Sequence, residues 1–169
     1  MSPGHAGAQA LGPPGEPHVT VGLVAAPSVS HELTPTLVED VRGELTARLP
    51  DVTWHVQLLD DGLVEPPADD GEIVEAARKT LLTRGWDLVV VLTDLPLRVA
   101  RRPVVAHASP VHGVAVLSVP ALGTVAVRRR LREALLRVVD ALLGEAHDAD
   151  ADLREATARF RRMNRRCAN

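Results

Sequence analysis

Residues 86–122 read WDLVVVLTDLPLRVARRPVVAHASPVHGVAVLSVPAL, and this stretch decides the fold. Its first apolar run, Leu88 to Leu92, does not alternate polar with apolar residues, which is typical of a central strand buried on both faces. Two further runs, Pro103 to Ala106 and Gly113 to Val119, lie too close together for a helical crossover between them. The pattern therefore predicts three successive strands with at least one antiparallel pairing.

The residues before this stretch alternate strands with helices. Val19 to Ala25 is a β-branched run that predicts a first, central strand. Thr34-Pro35 then provides an N-cap followed by proline at the first helical position, ahead of apolar residues at helical spacing. Val52 to Leu59 alternates like a half-exposed strand. After an acidic loop, a second helix is expected, capped by Asp70 and ended by Gly85.

The residues after this stretch predict a long helix over Val125 to Leu143, whose inward positions are leucine, valine and alanine. The predicted order is β-α-β-α-β-β-β-α-α, an α/β fold with a three-layer mixed sheet and helices on both faces. Residues 1–17 are rich in glycine and proline and predict a disordered tail. We expect one α/β domain over 18–147 and a basic amphipathic helix over 148–169.

Composition excludes several classes of function. A net charge of −3 and the presence of only one Phe, two Trp and no Tyr argue against a nucleic-acid binder. No apolar run approaches the ~18 residues of a membrane-spanning helix, and the first residues do not resemble a signal peptide. The expected location is therefore the cytoplasm. Cys167 is the single cysteine, so an internal disulfide cannot form.

Three residues are candidates for ligand binding. Asp94 follows the central strand, where α/β sheets place ligand-handling groups. His107 and His112 flank a Ser-Pro turn, and with Asp94 or His147 they could form a metal site in one cleft. The alternative is structural: Asp94 would cap a turn before proline, and the histidines would bond to loop backbone. The sequence itself predicts no bound metal and no cofactor.

Other patterns are less specific. No glycine-rich phosphate loop and no Gly-x-Ser-x-Gly motif is present. The run Arg128 to Arg130 could bind phosphate or acidic lipid, or it could be a solvated helix face. The basic C-terminal segment is a better candidate for contact with a partner helix or an anionic membrane surface. Its candidate contact residues are Arg161, Arg162, Arg165 and Arg166.

The strand ending in Thr93-Asp94, the following strands and the helix after them resemble archaemetzincin-type zinc peptidases over about Val19 to Glu145. That resemblance implies a metzincin-like skeleton in which the helix carries His-Glu-x-x-His. Here the first histidine position is apolar, the general-base glutamate is Arg137 and the second histidine falls at Asp140. The same region also resembles the N-terminal part of uncharacterised bacterial proteins, from GC-rich genomes, that continue into membrane helices.

Taken together, these patterns favour a non-catalytic α/β scaffold or interaction domain, acting at the cytoplasmic membrane face or in solution. Its partner would be an unidentified protein or a second copy of the chain. A metal-dependent hydrolase or metal-handling protein, using a cleft near Asp94, His107 and His112, is the alternative. A third hypothesis is a small-ligand sensor with a pocket at the strand ends.

Overall fold

The structure is a computed structural model that describes residues 17–30, 35–61, 63, 69–99 and 102–144. The structure does not describe residues 1–16 of the predicted tail, the cap Thr34, His147 or the predicted basic C-terminal helix with its four candidate arginines. No helix within the described part is both long and apolar enough to cross a bilayer.

Five strands form one mixed sheet: β1 His18–Ala25, β2 Thr53–Asp60, β3 Leu88–Thr93, β6 Ala106–Ser109 and β7 Val114–Ser118. Their order in the sheet is β2-β1-β3-β7-β6. The strands β2, β1, β3 and β7 are parallel to one another, and the edge strand β6 is antiparallel to β7. The mixed sheet and its antiparallel pairing confirm the predicted α/β class.

Helices cover both faces of the sheet. Their bounds are α1 Pro27–Ser30, α2 Pro35–Arg48, α3 Asp70–Arg84 and α4 Val127–Leu142. Alternate residues of β3 supply two separate apolar clusters, as expected for a strand buried on both sides. Val90 and Leu92 pack with α2 and α4, whereas Val89 and Val91 pack with α3. The result is the predicted three-layer arrangement.

The region between β3 and β7 is more divided than the sequence predicts. The expected strand over Pro103 to Ala106 is two strands that change partner at Val105. β5, Arg102–Val104, pairs with β4, Leu97–Val99, in a separate two-stranded hairpin, and β6 then pairs with β7. The hairpin follows β3 directly and carries Leu97 into the α3 cluster. Its three-residue strands are too short to show a periodic pattern.

Helix α3 begins one residue earlier than predicted. Its N-cap is Asp69 rather than Asp70: the Asp69 carboxylate accepts from the Glu72 backbone N–H, and the Glu72 carboxylate accepts from the Asp69 N–H, both at 2.9 Å. This reciprocal pair is a capping box. Because Asp69 is the cap, the Asp70 side chain is available for contacts elsewhere.

Helix α4 packs with α2 on the same face of the sheet and covers the core there. A broad stripe of its side chains is buried, namely Leu131, Leu135, Leu136, Val138, Val139 and Leu142.

Replacing Leu135, which is fully buried, by alanine should lower the free energy of unfolding by about 2–5 kcal/mol. Urea unfolding measures the change. Arg137→Ala, on the exposed side of the same helix, is the control and should change stability by less than about 0.5 kcal/mol.

Gly22 allows the indole of Trp86 to lie directly against β1. A Cβ at Gly22 would come within 1.9 Å of Trp86 Cε3, and the Trp86 Nε1–H donates to Gln57 Oε1 at 3.0 Å.

Gly22→Ala should therefore displace the Trp86 ring and destabilise the fold by about 1–3 kcal/mol. Gly43→Ala is the matched control, because nothing lies within 4 Å of its added Cβ in helix α2. That variant should gain about 0.5–1 kcal/mol in the same thermal or urea unfolding assay, so a loss at Gly43 would contradict this account.

Candidate functional site

Asp94 lies at the carboxyl end of β3 and is hydrogen-bonded to the segment that follows β1. The Ser28 hydroxyl donates to Asp94 Oδ2 at 2.6 Å. β1 and β3 are adjacent and parallel, yet the chain leaves β1 toward the α2 face and leaves β3 toward the α3 face. A crevice between two such strands is where open α/β sheets bind ligands. Asp94 therefore lies at the carboxyl edge of the sheet, and its role in ligand binding stays a prediction.

A cavity of about 410 Å³ opens beside this hydrogen bond. Its lining has three polar side chains, Ser28, Asp94 and Thr124, and apolar walls from residues that follow β7 and from the start of α4. Such a mixture is typical of small-molecule sites, in which apolar walls bury the ligand and a few polar groups orient it. The lining residues are Ser28, Val29, Asp94, Val119, Pro120, Gly123, Thr124 and Val127.

His107 lies on the edge strand β6 and contacts the start of helix α3. Its Nδ1 is 2.6 Å from Asp70 Oδ2. The other Asp70 oxygen, Oδ1, is buried and has no hydrogen-bond partner among the described residues. An ionised carboxylate can only accept, so with Asp70 ionised the imidazole donates from Nδ1 and its tautomer is fixed. The Asp70 carboxylate therefore orients the His107 ring. In many metal sites and active sites, a carboxylate that accepts from one ring nitrogen orients the histidine in the same way.

His112 lies in the short helical turn between β6 and β7 and is exposed. Its Nδ1 is 2.8 Å from the Ser109 hydroxyl. The register Val89↔Val114 and Thr93↔Ser118 puts His112 beside the amino end of β3 and Asp94 beyond its carboxyl end. Five residues of β7 separate the two ends by about 16 Å.

The single cleft predicted around Asp94, His107 and His112 is therefore not formed. The histidines are close in sequence to the turn, but the parallel register carries Asp94 to the opposite end of the sheet. Over the described residues, no group of three or more His, Cys, Asp or Glu side chains is arranged to hold a metal ion. Asp70, which sequence reasoning assigned to a cap, is the partner that His107 has instead. The Asp69-x-x-Glu72 spacing is the sequence signal that would have reassigned Asp70.

The window of α4 that the metzincin resemblance compares with a zinc motif is occupied by packing and ion-pair residues. Leu136 is buried in the core and Arg137 faces solvent. Asp140 Oδ2 accepts from Arg48 Nη1 at 2.6 Å, which joins the last turns of α4 and α2. A leucine offers no ligand atom and an arginine is a cation, so these residues do not fit a zinc ion.

Comparison with known proteins gives a structural likeness only. No protein-family model matches the chain, and no curated protein matches it. Among solved structures, archaemetzincin from Methanopyrus kandleri is similar, with a TM-score of 0.55, 19% sequence identity, and coverage of 79% of this chain and 77% of that one. A chain from a chaperone–substrate complex matches over 69% of this chain and 22% of its own length, at 14% identity. Its TM-score of 0.42 is too low to indicate a shared fold.

At 19% identity the likeness to archaemetzincin concerns the fold and not the chemistry. The match spans more than three quarters of both chains, so it includes the sheet and not one isolated motif. The five-stranded sheet with its antiparallel edge, covered by helices on both faces, is thus a metzincin-like fold.

Proposed function

We propose that this chain is a non-catalytic metzincin-like domain that acts by binding a small ligand or a partner. The observation that carries the proposal is the composition of α4. A zinc peptidase needs two histidines one helical turn apart on that helix and a glutamate beside the first. This helix instead buries leucine and valine, and Asp140, which stands at the second histidine position, is bound to Arg48.

Two further features support a binding role. The sheet presents a cavity at the position where α/β sheets bind ligands, with Ser28 and Asp94 at its mouth. Several large apolar side chains are also exposed, among them Leu82 and Val111, which are 66% and 90% accessible. Single exposed apolar residues are ordinary, so the cavity supports the proposal more strongly than they do. Assembly with a second copy and contact with a membrane remain predictions, the latter resting on the C-terminal segment.

A metal-dependent hydrolase is the second candidate, because one observation favours it. Asp70 holds His107 at 2.6 Å and keeps one buried oxygen without a described partner. Such a pair could support a metal-bound histidine. Neither Asp94 nor His112 lies in the same place, so further ligands would have to come from residues that the structure does not describe, such as His147.

Metal content and hydrolysis discriminate between the two candidates. The full chain is incubated with excess zinc, dialysed and analysed by mass spectrometry, and then assayed against a mixed peptide library. We expect far less than one zinc per chain and no cleavage, because α4 lacks the paired histidines. His107→Ala is the control. About one zinc per wild-type chain, lost in this variant together with cleavage, would contradict the proposal and establish the second candidate.

The two histidines should differ in their effect on stability. His107→Ala removes the described partner of Asp70 Oδ2, in a side chain that is 18% exposed and whose Oδ1 is already without a described partner. An unsatisfied buried acceptor costs about 1–3 kcal/mol, so we expect a loss of that size in urea unfolding. His112→Ala removes one exposed hydrogen bond and should cost less than about 0.5 kcal/mol. Equal effects of the two substitutions would mean that the contact with Asp70 contributes nothing to stability.

A further inference from the structure

Three arginines from the first two turns of α4 line a groove against the beginning of α2. Arg128, Arg129 and Arg132 form one wall, and Thr36, Leu37 and Asp40 form the other. The groove encloses a cavity of about 340 Å³. α2 and α4 follow the parallel strands β1 and β7, so both helices begin at the carboxyl edge of the sheet.

The positive charge of this groove is only partly compensated within the described part of the chain. There, neither Arg128 nor Arg132 forms an ion pair, and Arg129 has only a 3.9 Å contact with Glu133 between two exposed side chains. Asp40 is the single carboxylate among the lining residues. Arg128 and Arg132 are four residues apart on one helix, a spacing at which like charges repel. An anion seated in the groove would relieve this repulsion.

Guanidinium groups clustered in this way favour phosphate over other anions. Each planar group can give two parallel N–H bonds to phosphate oxygens, and a phosphate ester offers enough oxygens for more than one arginine. A carboxylate has only two oxygens and is satisfied by one arginine. The groove is therefore suited to a phosphate ester or a diphosphate.

The groove and the cavity at the strand ends are both lined by residues from the start of α4. Consecutive residues at the start of α4, Val127 and Arg128, line the cavity and the groove respectively. The cavity offers apolar walls with the Ser28 hydroxyl and the Asp94 carboxylate, which accepts hydrogen bonds from hydroxyl groups. A molecule that spans both would carry its phosphate on the arginines and a hydroxylated or apolar body beside Asp94.

We infer that this chain binds a phosphate-bearing small molecule or headgroup, with the phosphate in the α2–α4 groove and the remainder in the Ser28–Asp94 cavity. The inference rests on the proposed function, since it names the ligand class and the place of binding. It does not involve α4's buried face or His107. Zinc content and hydrolysis therefore test the proposed function independently of phosphate binding.

The test is a titration of the full chain with inorganic pyrophosphate and with glycerol phosphate at low ionic strength, followed by calorimetry and by melting temperature. Both probes should raise the melting temperature of the wild type, because a ligand that binds only the folded state stabilises it. Removing one charged hydrogen-bond donor typically weakens binding about tenfold or more. The Arg128→Gln/Arg132→Gln variant should therefore bind about a hundredfold more weakly.

A matched control separates site binding from general charge attraction. Arg98→Gln/Arg137→Gln removes the same number of charges from exposed positions outside the groove and should bind like the wild type. Without ligand, the Arg128→Gln/Arg132→Gln variant should melt no lower than the wild type, because a repulsive pair has been removed. Equal weakening in both double variants, or no binding by the wild type at millimolar probe, would overturn the inference.

Vesicles of phosphatidylcholine with phosphatidylglycerol distinguish the two sources of the phosphate. Phosphatidylglycerol carries the glycerol phosphate group of the soluble probe. Co-sedimentation that depends on Arg128 and Arg132 would assign a lipid headgroup to the groove. Groove-dependent binding of soluble glycerol phosphate without vesicle binding would assign a free phosphorylated molecule.

Discussion

Burial of β3 on both faces is the constraint on which the rest of the structure depends. All six residues of this strand are buried, with at most 8% of any of them exposed to solvent, and apart from Thr93 they are apolar. One face must be covered by α3 and the other by α2 and α4 together, because exposing an apolar face of the central strand to water would destabilise the fold. α4 is the last element of the described domain, and it completes the cover over β3, β6 and β7. Its broad apolar stripe is therefore a requirement of packing.

That requirement limits what chemistry the helix can carry. Each fully buried leucine stabilises the fold by about 1.5–3 kcal/mol relative to an exposed one. A histidine pair in the same helix would place polar nitrogens near the core, and such groups are costly unless a metal or another partner satisfies them. In this chain the inward positions contribute to stability directly. The polar side chains of α4 lie on its exposed side, with arginines at its start, Arg137 in its middle and the Arg48–Asp140 pair near its last turn.

Much of the fold could be predicted from local pattern, and the candidate site could not. In the long strands and helices, the spacing of apolar residues indicates which side chains are buried. For this reason β1, β3, α2 and α4 were all recognisable in the sequence. The strand β4 was missed, and the division of the predicted strand into β5 and β6 was not foreseen, since three or four residues cannot establish a period. The site depends on register: His107 meets Asp70, 37 residues away, only because β6 lies at the edge beside the start of α3. Asp94 and His112 looked near each other along the chain, but parallel pairing put the length of β7 between them.

The carboxyl edge of the sheet is less constrained by packing than the buried face of α4. One fold can host different functions on the same sheet and helices, provided that its core buries enough apolar area. Polar groups at the carboxyl ends of the parallel strands are compatible with this requirement, because loops there need not pack into the core. In this chain that edge has the Ser28–Asp94 hydrogen bond, a cavity beside it and a groove lined by three arginines. The positive charge of the groove and the mixed polar and apolar lining of the cavity are the properties on which the inferred anionic organic ligand depends. The buried face of α4 contributes to stability, and its charged first turns, which lie outside the core, are the part of the helix that the inferred ligand would contact.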